Sequence, residues 1–482
     1  LVNAFERNLL VKVVCFFDDD PKLSGRKAKG RPIFHTRDLV DQVRTLKIKQ
    51  IIVGIASLSR QGRKEVLHKL EKVGVRVRVL PGMNDLIEGK ISLSQVRDVN
   101  ASDLLWRASH KPDKNLIKKD VSSRSVMVTG GGGSIGSELC RQAIKNGVKS
   151  LVIIEHSEYS LYTIDQELTS LSTSLGKDVE IIPILGDVSN EVFVERVIRA
   201  YRVQTIYHAA AYKHVPMVEF NTCEGVRNNV FGTYATAKAA QKAGVEKFVL
   251  ISTDKAVRPT NVMGASKRLS EMVLQALQGE KNNFKTKFTM VRFGNVLDSA
   301  GSVVPLFRKQ IKHGGPVTLT HKDVTRYFMT IPEAAQLVLQ AGAMAVGGEV
   351  FLLDMGEPVK IYDLASKMIS LSGFSVADGD NPDGDIEIRV IGMRPGEKLY
   401  EELFITDNIL GTLHPSILRA QEQFIESSQL NQSLKELNNF IQETKPDEVR
   451  ATLKFLVEGY TPGIDPISVN QAHTSNLKLI KN

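Results

Sequence analysis

The chain has 482 residues, 42% hydrophobic and 24% charged, with a formal net charge of +9 from 63 lysines and arginines against 54 aspartates and glutamates. That length exceeds one ordinary core and sets an expectation of two or three domains; no apolar run approaches the roughly 20 residues of a membrane helix, so this stretch is expected to be soluble. The basic residues are dispersed among acids without interleaved aromatics, which points away from nucleic acid, and a nucleotide or a nearby anionic surface accounts for the excess as well.

The sequence opens at Leu1 inside a continuing segment and reads as part of a longer protein. The first 98 residues alternate strand and helix. "VKVVCFF" (Val11 to Phe17), "KQIIVGI" (Lys49 to Ile55) and "VRVRVL" (Val75 to Leu80) are apolar runs, with helical stretches at Thr36 to Leu46 and Ser59 to Val73 between them. A small Rossmann-like parallel sheet is expected, without the glycine-rich turn that would make it a dinucleotide site. Asp18, Asp19 and Asp20 after the first run either bind a ribose or form a solvated turn. Residues 99–123 turn polar and lysine-rich ("KPDKNLIKKD") and read as a linker. Cys15, Cys140 and Cys223 lack metal-ligand spacing, so a reducing compartment and no metal are expected.

A second alternating series fills residues 124–294. Strands are expected at Ser125 to Thr129, Ser150 to Glu155, Val179 to Leu185, Thr205 to His208, Lys247 to Ser252 and Thr289 to Phe293. With helices between them this is a doubly wound α/β domain. Beyond Gly294 the alternation decays, and residues 295–482 read mainly as a smaller mixed α/β substrate-binding cap with C-terminal helices, ending in a polar, frayed tail.

"VMVTGGGGSIGSEL" follows the first of these strands and opens a helix. Gly130, Gly133 and Gly136, with Ser134 and Ile135 between them, form the three-residue-spaced dinucleotide loop, where backbone amides and the helix N-terminus meet a pyrophosphate. The second strand ends at Glu155, near the roughly 20-residue separation of an acid that binds the adenosine ribose. A carboxylate there repels a 2'-phosphate, so NAD is favoured over NADP, with His156 and Lys149 as nearby opposing groups. Asp187 either accepts from the adenine amine or caps the next helix, with Val188 beside it. Ala209 and Ala210 leave room for a flat cofactor after the fourth strand.

"ISTDKAVRPTNVMGASKR" carries the chemistry. Thr253, Asp254 and Lys255 stand at the carboxyl end of the fifth strand, where ligands bind in such sheets. Met263 and Lys267 share one helix face. Short-chain dehydrogenases place a tyrosine where Met263 stands, and a thioether moves no proton.

With "TGGGGSIGSEL", "AAAYKHVPMVE", "NNVFGT", "STDKAVRPTNVMGASKR", "RFGNVLDSAGSVVPLF", "TRYFMTIPEA" and "MRPGEKLYEEL" in order, Val126 to about Phe404 resembles the extended short-chain dehydrogenases. The closest likeness is to the CapD-type nucleotide-sugar 4,6-dehydratases of bacterial surface-glycan biosynthesis. The resemblance implies UDP-N-acetylglucosamine as substrate, a homo-oligomer, methionine as a subgroup feature at position 263, and membrane helices upstream that hold the protein at the cytoplasmic face of the inner membrane. In such a reaction C4 is oxidised, water is eliminated across C5 and C6, and hydride returns to C6.

The roles expected are these. Thr253 or Asp254 takes the C4 hydroxyl proton. Lys255, with a depressed pKa, takes the C5 proton, and Asp254, with a raised one, protonates the leaving C6 hydroxyl. Lys267 binds the nicotinamide ribose. Lys213, Asn229, Met263, Asn295, Arg326 and Arg394 are expected at the substrate, with Asn229 also positioning the active-site helix and arginine suited to phosphate. His214 lies beside Lys213, and Glu397 and Lys398 read as a structural ion pair. A UDP-sugar 4-epimerase needs no acid–base pair at C5 and C6, and a non-catalytic NAD-binding scaffold would account for Met263 but not for the intact Thr253, Asp254, Lys255 and Lys267.

Overall fold

The computed structural model describes residues 11–54, 60–80, 96–104, 112–280, 285–403, 409–420, 422 and 424–462. The expected polar tail at 463–482, the edge residues Ile55 and Ser59, and the last residue of the family likeness, Phe404, lie outside them. The chain divides into two compact units. One gathers Leu1–Arg107, Ser302–Val324 and Val359–Gly392; the other gathers Ala108–Gly301, Thr325–Pro358 and Met393–Asn482.

The second unit is built on strands β1 (Ser125–Thr129), β2 (Ser150–Glu155), β3 (Glu180–Leu185), β4 (Thr205–His208), β5 (Lys247–Ile251), β6 (Lys287–Arg292), β7 (Val350–Leu353), β8 (Ile409–Gly411) and β9 (Ile417–Ala420). They form one sheet in the order β8-β9-β7-β6-β5-β4-β1-β2-β3. The run from β7 to β3 is parallel, and β9 and β8 are added antiparallel. Val126, Met127, Val128 and Leu151 to Ile154 are fully buried, because a parallel sheet covered on both faces needs apolar side chains at every position. The order reverses between β1 and β4, which opens a crevice at their carboxyl ends.

The helices that matter for the site are α1 (Lys114–Val121), α2 (Ser134–Lys145), α3 (Gly232–Ala243), α4 (Val262–Gly279), α5 (Ile331–Met344), α6 (Ser427–Gln442) and α7 (Pro446–Leu456). Leu269, Val273 and Leu277 of α4 join Phe248 and Phe288 of the sheet and Leu430, Leu434 and Leu437 of α6 in one apolar cluster. With the sheet on one side and α6 and α7 on the other, α4 is buried along nearly its whole length.

Two features depart from the sequence reading. The lysine-rich stretch read as linker contains α1, capped by Asp113 and burying Ile117 and Val121; its buried Asp120 meets Lys247 Nζ at 2.6 Å and accepts from the Tyr207 hydroxyl at 3.1 Å. The sheet also runs on past Gly294, because β7, β8 and β9 are too short to announce themselves as apolar runs.

In the other unit, Phe16–Asp18 pairs parallel with Arg31–His35, and Gln50–Val53 pairs parallel with Arg76–Val79, in two separate small sheets. Leu371, from the helix Ile361–Leu371, packs into the cluster around Leu67, Leu70 and Val77. The three acids form a turn: Asp18 accepts from the Asp20 amide, Asp20 from the Lys22 amide, and Asp19 takes the Thr36 hydroxyl.

Candidate active site

The glycine loop is shaped by close approach. Gly130 has φ +66°, and a Cβ there would stand 2.8 Å from the Ala210 backbone; one on Gly136 would stand 2.1 Å from the Gly130 carbonyl. The Gly133 amide donates to that carbonyl at 3.0 Å, and Gly133 leads into α2 with no side-chain cap. The first turn of α2, containing Ser134 and Ile135, thus has no side-chain cap from Gly133, the arrangement in which a helix N-terminus can meet an anion. Ala209 and Ala210 donate to the carbonyl and hydroxyl of Thr129 at 3.1 and 3.4 Å, which seals the β1–β4 reversal with small residues.

Glu155 is buried at the end of β2. Its Oε2 accepts from the Gly132 amide at 3.0 Å, and its Oε1 accepts from the amides of His156 and Ser157 at 3.0 and 3.1 Å. The carboxylate fixes the glycine loop and keeps acceptor capacity for a ribose hydroxyl. Lys149 precedes β2 and so stands at the opposite end of the strand from Glu155, whereas the His156 ring lies 3.1 Å from Glu155 Oε1.

Asp187 does not cap the following helix; Asn190 does, accepting from the Phe193 amide at 3.1 Å. Asp187 accepts from Ser189 N at 2.8 Å and lies 3.6 Å from Arg227. Val188 is buried, its carbonyl accepting from the Thr236 hydroxyl.

Helix α4 begins at Asn261, whose Oδ1 accepts from the Gly264 amide at 2.8 Å. Gly264 is required: a Cβ there would stand 2.2 Å from the Lys255 carbonyl, so the 254–256 turn lies directly on the helix. Met263 is buried in the apolar cluster of α4 and the sheet, which makes it a packing residue. Lys267, one turn on, is also buried, and burial pulls its ammonium down to about 8 against a partial counter-pull from Glu271. Glu271 itself sits in a buried network with Ser252, Arg268, Arg292 and Glu422.

Asn229 is fully buried. Its amide accepts from the Tyr212 N–H at 2.8 Å and donates to the Tyr212 carbonyl at 3.1 Å and to Ser266 Oγ at 3.0 Å. It clamps the loop after β4 to α4 and is spent on that work, not on substrate.

The acid–base groups form a cluster. Asp254 Oδ1 accepts from Thr253 Oγ1 at 2.9 Å and from Lys255 Nζ at 3.1 Å. Lys255 Nζ also donates to Asn295 Oδ1 at 3.1 Å and stands 2.6 Å from Glu401 Oε1. Arg326 Nε is 3.3 Å from the same Glu401 oxygen, and its Nη2 donates to Glu397 at 3.1 Å.

The protonation balance differs from the sequence expectation. Burial disfavours the Lys255 charge, but Asp254 and Glu401 outweigh it and raise its pKa well above the ordinary lysine value. Burial likewise opposes the Asp254 carboxylate, yet the Lys255 charge and a hydrogen bond with Glu401 hold it low. The raised carboxyl is Glu401, pushed to about 7 by burial and by the Asp254 charge. The cluster thus holds a raised lysine and a lowered aspartate, the reverse of the expectation.

Two substrate assignments and one ion pair also change. Arg326 and Asn295 belong to the cluster, one holding carboxylates and the other the Lys255 ammonium. Lys398 pairs with Glu402 and Glu397 with Arg326, not with each other. Lys213 and Arg394 are exposed and have no side-chain hydrogen-bond or ion-pair partner among the described residues.

Residues 126–422 match the family described as "Polysaccharide biosynthesis protein". The chain belongs to that family. The "Capsular polysaccharide biosynthesis protein CapD" of Staphylococcus aureus is 47% identical over 375 residues, covering 78% of this chain and 61% of that protein. The "Probable polysaccharide biosynthesis protein EpsC" of Bacillus subtilis (strain 168) is 45% identical over 392 residues, covering 81% and 63%. This chain therefore spans less than two thirds of those polysaccharide biosynthesis proteins. Among solved structures, Pen from Bacillus thuringiensis is similar at a TM-score of 0.56 and 30% identity, over 66% of this chain and 98% of Pen. The glycine-rich stretch falls on the β1–α2 loop, and Met263 and Lys267 fall on α4. Among the described residues no helix is long and apolar enough to cross a membrane.

Proposed function

We propose that the protein is an NAD-dependent nucleotide-sugar 4,6-dehydratase that converts UDP-N-acetylglucosamine to a UDP-4-keto-6-deoxy-N-acetylhexosamine for surface-glycan synthesis. The observation that carries the reading is the part-buried acid–base cluster of Thr253, Asp254, Lys255 and Glu401 at the carboxyl end of β5, against the helix that bears Lys267. A 4-epimerase has no use for such a cluster, since it needs one proton acceptor at C4 and none at C5 or C6.

NAD fits the residues present: the Gly130–Gly136 loop admits a pyrophosphate, Glu155 accepts from a ribose diol, and Ala209 and Ala210 keep the crevice open. When bound it supplies the C4 oxidation and the reduction at C6. Lys267 then holds the nicotinamide ribose, and the Asn229–Ser266 bond fixes the helix that carries it. Thr253 accepts the C4 hydroxyl proton and passes its own to Asp254 across their 2.9 Å hydrogen bond. Asp254, now a carboxylic acid, protonates the departing C6 hydroxyl, while Lys255 as an amine removes the C5 proton and, after its ammonium has exchanged with solvent, delivers a proton back to C5. Arg394 and Lys213, exposed and without side-chain partners among the described residues, contact the UDP phosphates and the sugar respectively. The whole protein is proposed to be a homo-oligomer held at the inner membrane by helices upstream of this chain.

The test is incubation with UDP-N-acetylglucosamine in deuterated water followed by proton NMR. A C6 methyl group with deuterium at C5 is expected. Formation of the C4 epimer alone, or of no product, overturns the reading.

A further inference from the structure

The cluster's geometry raises a question of proton count that the dehydratase reading leaves open. Lys255 must shed a proton to act as a base, yet its ammonium lies between two carboxyl groups, 3.1 Å from Asp254 and 2.6 Å from Glu401. When Asp254 has received the C4 proton it can take no second one. Glu401 is the remaining acceptor in contact, and Arg326 Nε, 3.3 Å from the same oxygen, keeps that carboxyl in place.

Asp254 Oδ2 is buried without a hydrogen-bond donor among the described residues, and the buried Glu401 carboxyl beside it meets the Lys255 ammonium and Arg326 Nε through Oε1. Two neighbouring buried carboxyls satisfy each other only when one of them carries a proton. The site is therefore built to hold a variable number of protons rather than a fixed ion pair.

Resting on the dehydratase reading, we propose that Glu401 takes the Lys255 ammonium proton across their 2.6 Å contact once Asp254 is protonated, freeing the amine that removes the C5 proton. Glu401 acts through Lys255 and is a positioning residue for its proton. The balance closes. The resting cluster holds one proton, on Lys255, with Asp254 and Glu401 ionised. The C4 hydroxyl proton enters through Thr253 and makes two, on Asp254 and Glu401. Elimination moves the Asp254 proton into water and the C5 proton onto Lys255. Return of a proton to C5 then leaves one proton, which passes from Glu401 back to Lys255.

The groups facing Glu401 are Asp254 and Lys255 from the turn after β5, and Arg326 and Tyr327 from residues 326–327, with Glu397 beyond Arg326. Its neighbour Glu402 pairs with Arg258 and Lys398. A carboxyl of pKa about 7 in this setting is ionised above that pH and protonated below it. The resting cluster needs it ionised, so turnover falls as pH drops through about 7.

The experiment compares the wild-type protein with Glu401→Gln. Glutamine keeps the shape but accepts no proton. Glu401→Gln is expected to reduce bound NAD with UDP-N-acetylglucosamine yet to lose at least about 100-fold in water elimination, the range for a lost proton-transfer partner. Its residual elimination should also lack the fall near pH 7. Full elimination in Glu401→Gln, or an unchanged acid limb, overturns the proposal, whereas a wild-type protein that makes no 4-keto-6-deoxy product overturns the dehydratase reading instead. Infrared titration of the wild-type protein without substrate tests the carboxyl independently of activity and of how the variant folds. A protonated-carboxyl band from carbon-13-labelled glutamate should disappear as pH rises through about 7, and its absence across that range overturns the proposal.

Discussion

Glu401 lies closer to the Lys255 ammonium than Asp254 does, 2.6 against 3.1 Å, although Asp254 is its neighbour in sequence. The arrangement makes the reactive unit a cluster instead of an adjacent pair, and the variants at these positions should separate its steps.

Lys255→Ala should still reduce bound NAD with UDP-N-acetylglucosamine, because oxidation at C4 uses Thr253 and Asp254. It should then stall, with absorbance near that of NADH building up and water loss reduced at least about 100-fold. Thr253→Val should give no such signal. Single-turnover absorbance on both variants decides, and rapid NAD reduction in Thr253→Val would move the first proton to Asp254 directly.

Met263 is packing. Met263→Leu should keep activity within a few-fold and cost less than about 1.5 kcal/mol, as volume-conserving swaps do. Met263→Ala should cost about 2–5 kcal/mol through the cavity it leaves while retaining measurable turnover. A well-folded Met263→Leu protein without activity would contradict the assignment.

Lys267 carries a burial cost. Its pKa falls from 10.5 to about 8 on folding, so between those values the unfolded chain binds more protons and stability rises with pH. Below about 8 the full penalty applies, on the order of 3 kcal/mol. Lys267→Met should therefore raise the denaturation midpoint of cofactor-free protein at pH 7 while abolishing turnover, and the gain should fade towards pH 10–11. Equal stability of the two proteins at pH 7 would contradict this.

Glu155 ties the glycine loop, through the Gly132 amide, to the turn after β2, through the amides of His156 and Ser157. Glu155→Ala leaves those donors without their acceptor, each at a cost of about 1–3 kcal/mol where water cannot replace it, and should empty the protein of dinucleotide. Wild-type protein, denatured after purification, should release NAD. Release of NADP instead would contradict the role given to Glu155.

The central sheet was legible because strands covered on both faces must be apolar throughout; "SVMVT" and "SLVIIE" occupy the residues expected of them. The glycine loop was legible because close approach leaves no alternative to glycine. Strands of three or four residues, such as β8 and β9, carry too little pattern to read. Lys114–Val121 hid as a linker because its lysines face outward and only Ile117, Asp120 and Val121 are buried. Glu401 went unread for a different reason: within "LYEEL" it looks like one of two solvated acids, and only the fold brings it to Lys255. Its signal, an acid inside a quoted motif, was present, but its partner is far along the chain. The pKa expectations failed on the same point, since they weighed Asp254 and Lys255 without the third charge.

The network beneath Lys267 bears on the order in which the chain matures. Arg268 of α4 and Arg292 of β6 are neutralised by Glu271 and by Glu422, which follows β9, and the outer side of α4 is covered by α6 and α7. A nascent chain that has emerged only as far as β6 holds the glycine loop, Lys255 and Lys267, yet it lacks the Glu422 carboxylate that meets both arginines, and α4 has an uncovered apolar side. An arginine stripped of its partner in such a place costs several kcal/mol. The catalytic helix thus gains its final setting last, when residues 422–456 leave the ribosome, so a protein stalled before that point is one for proteases and chaperones to find.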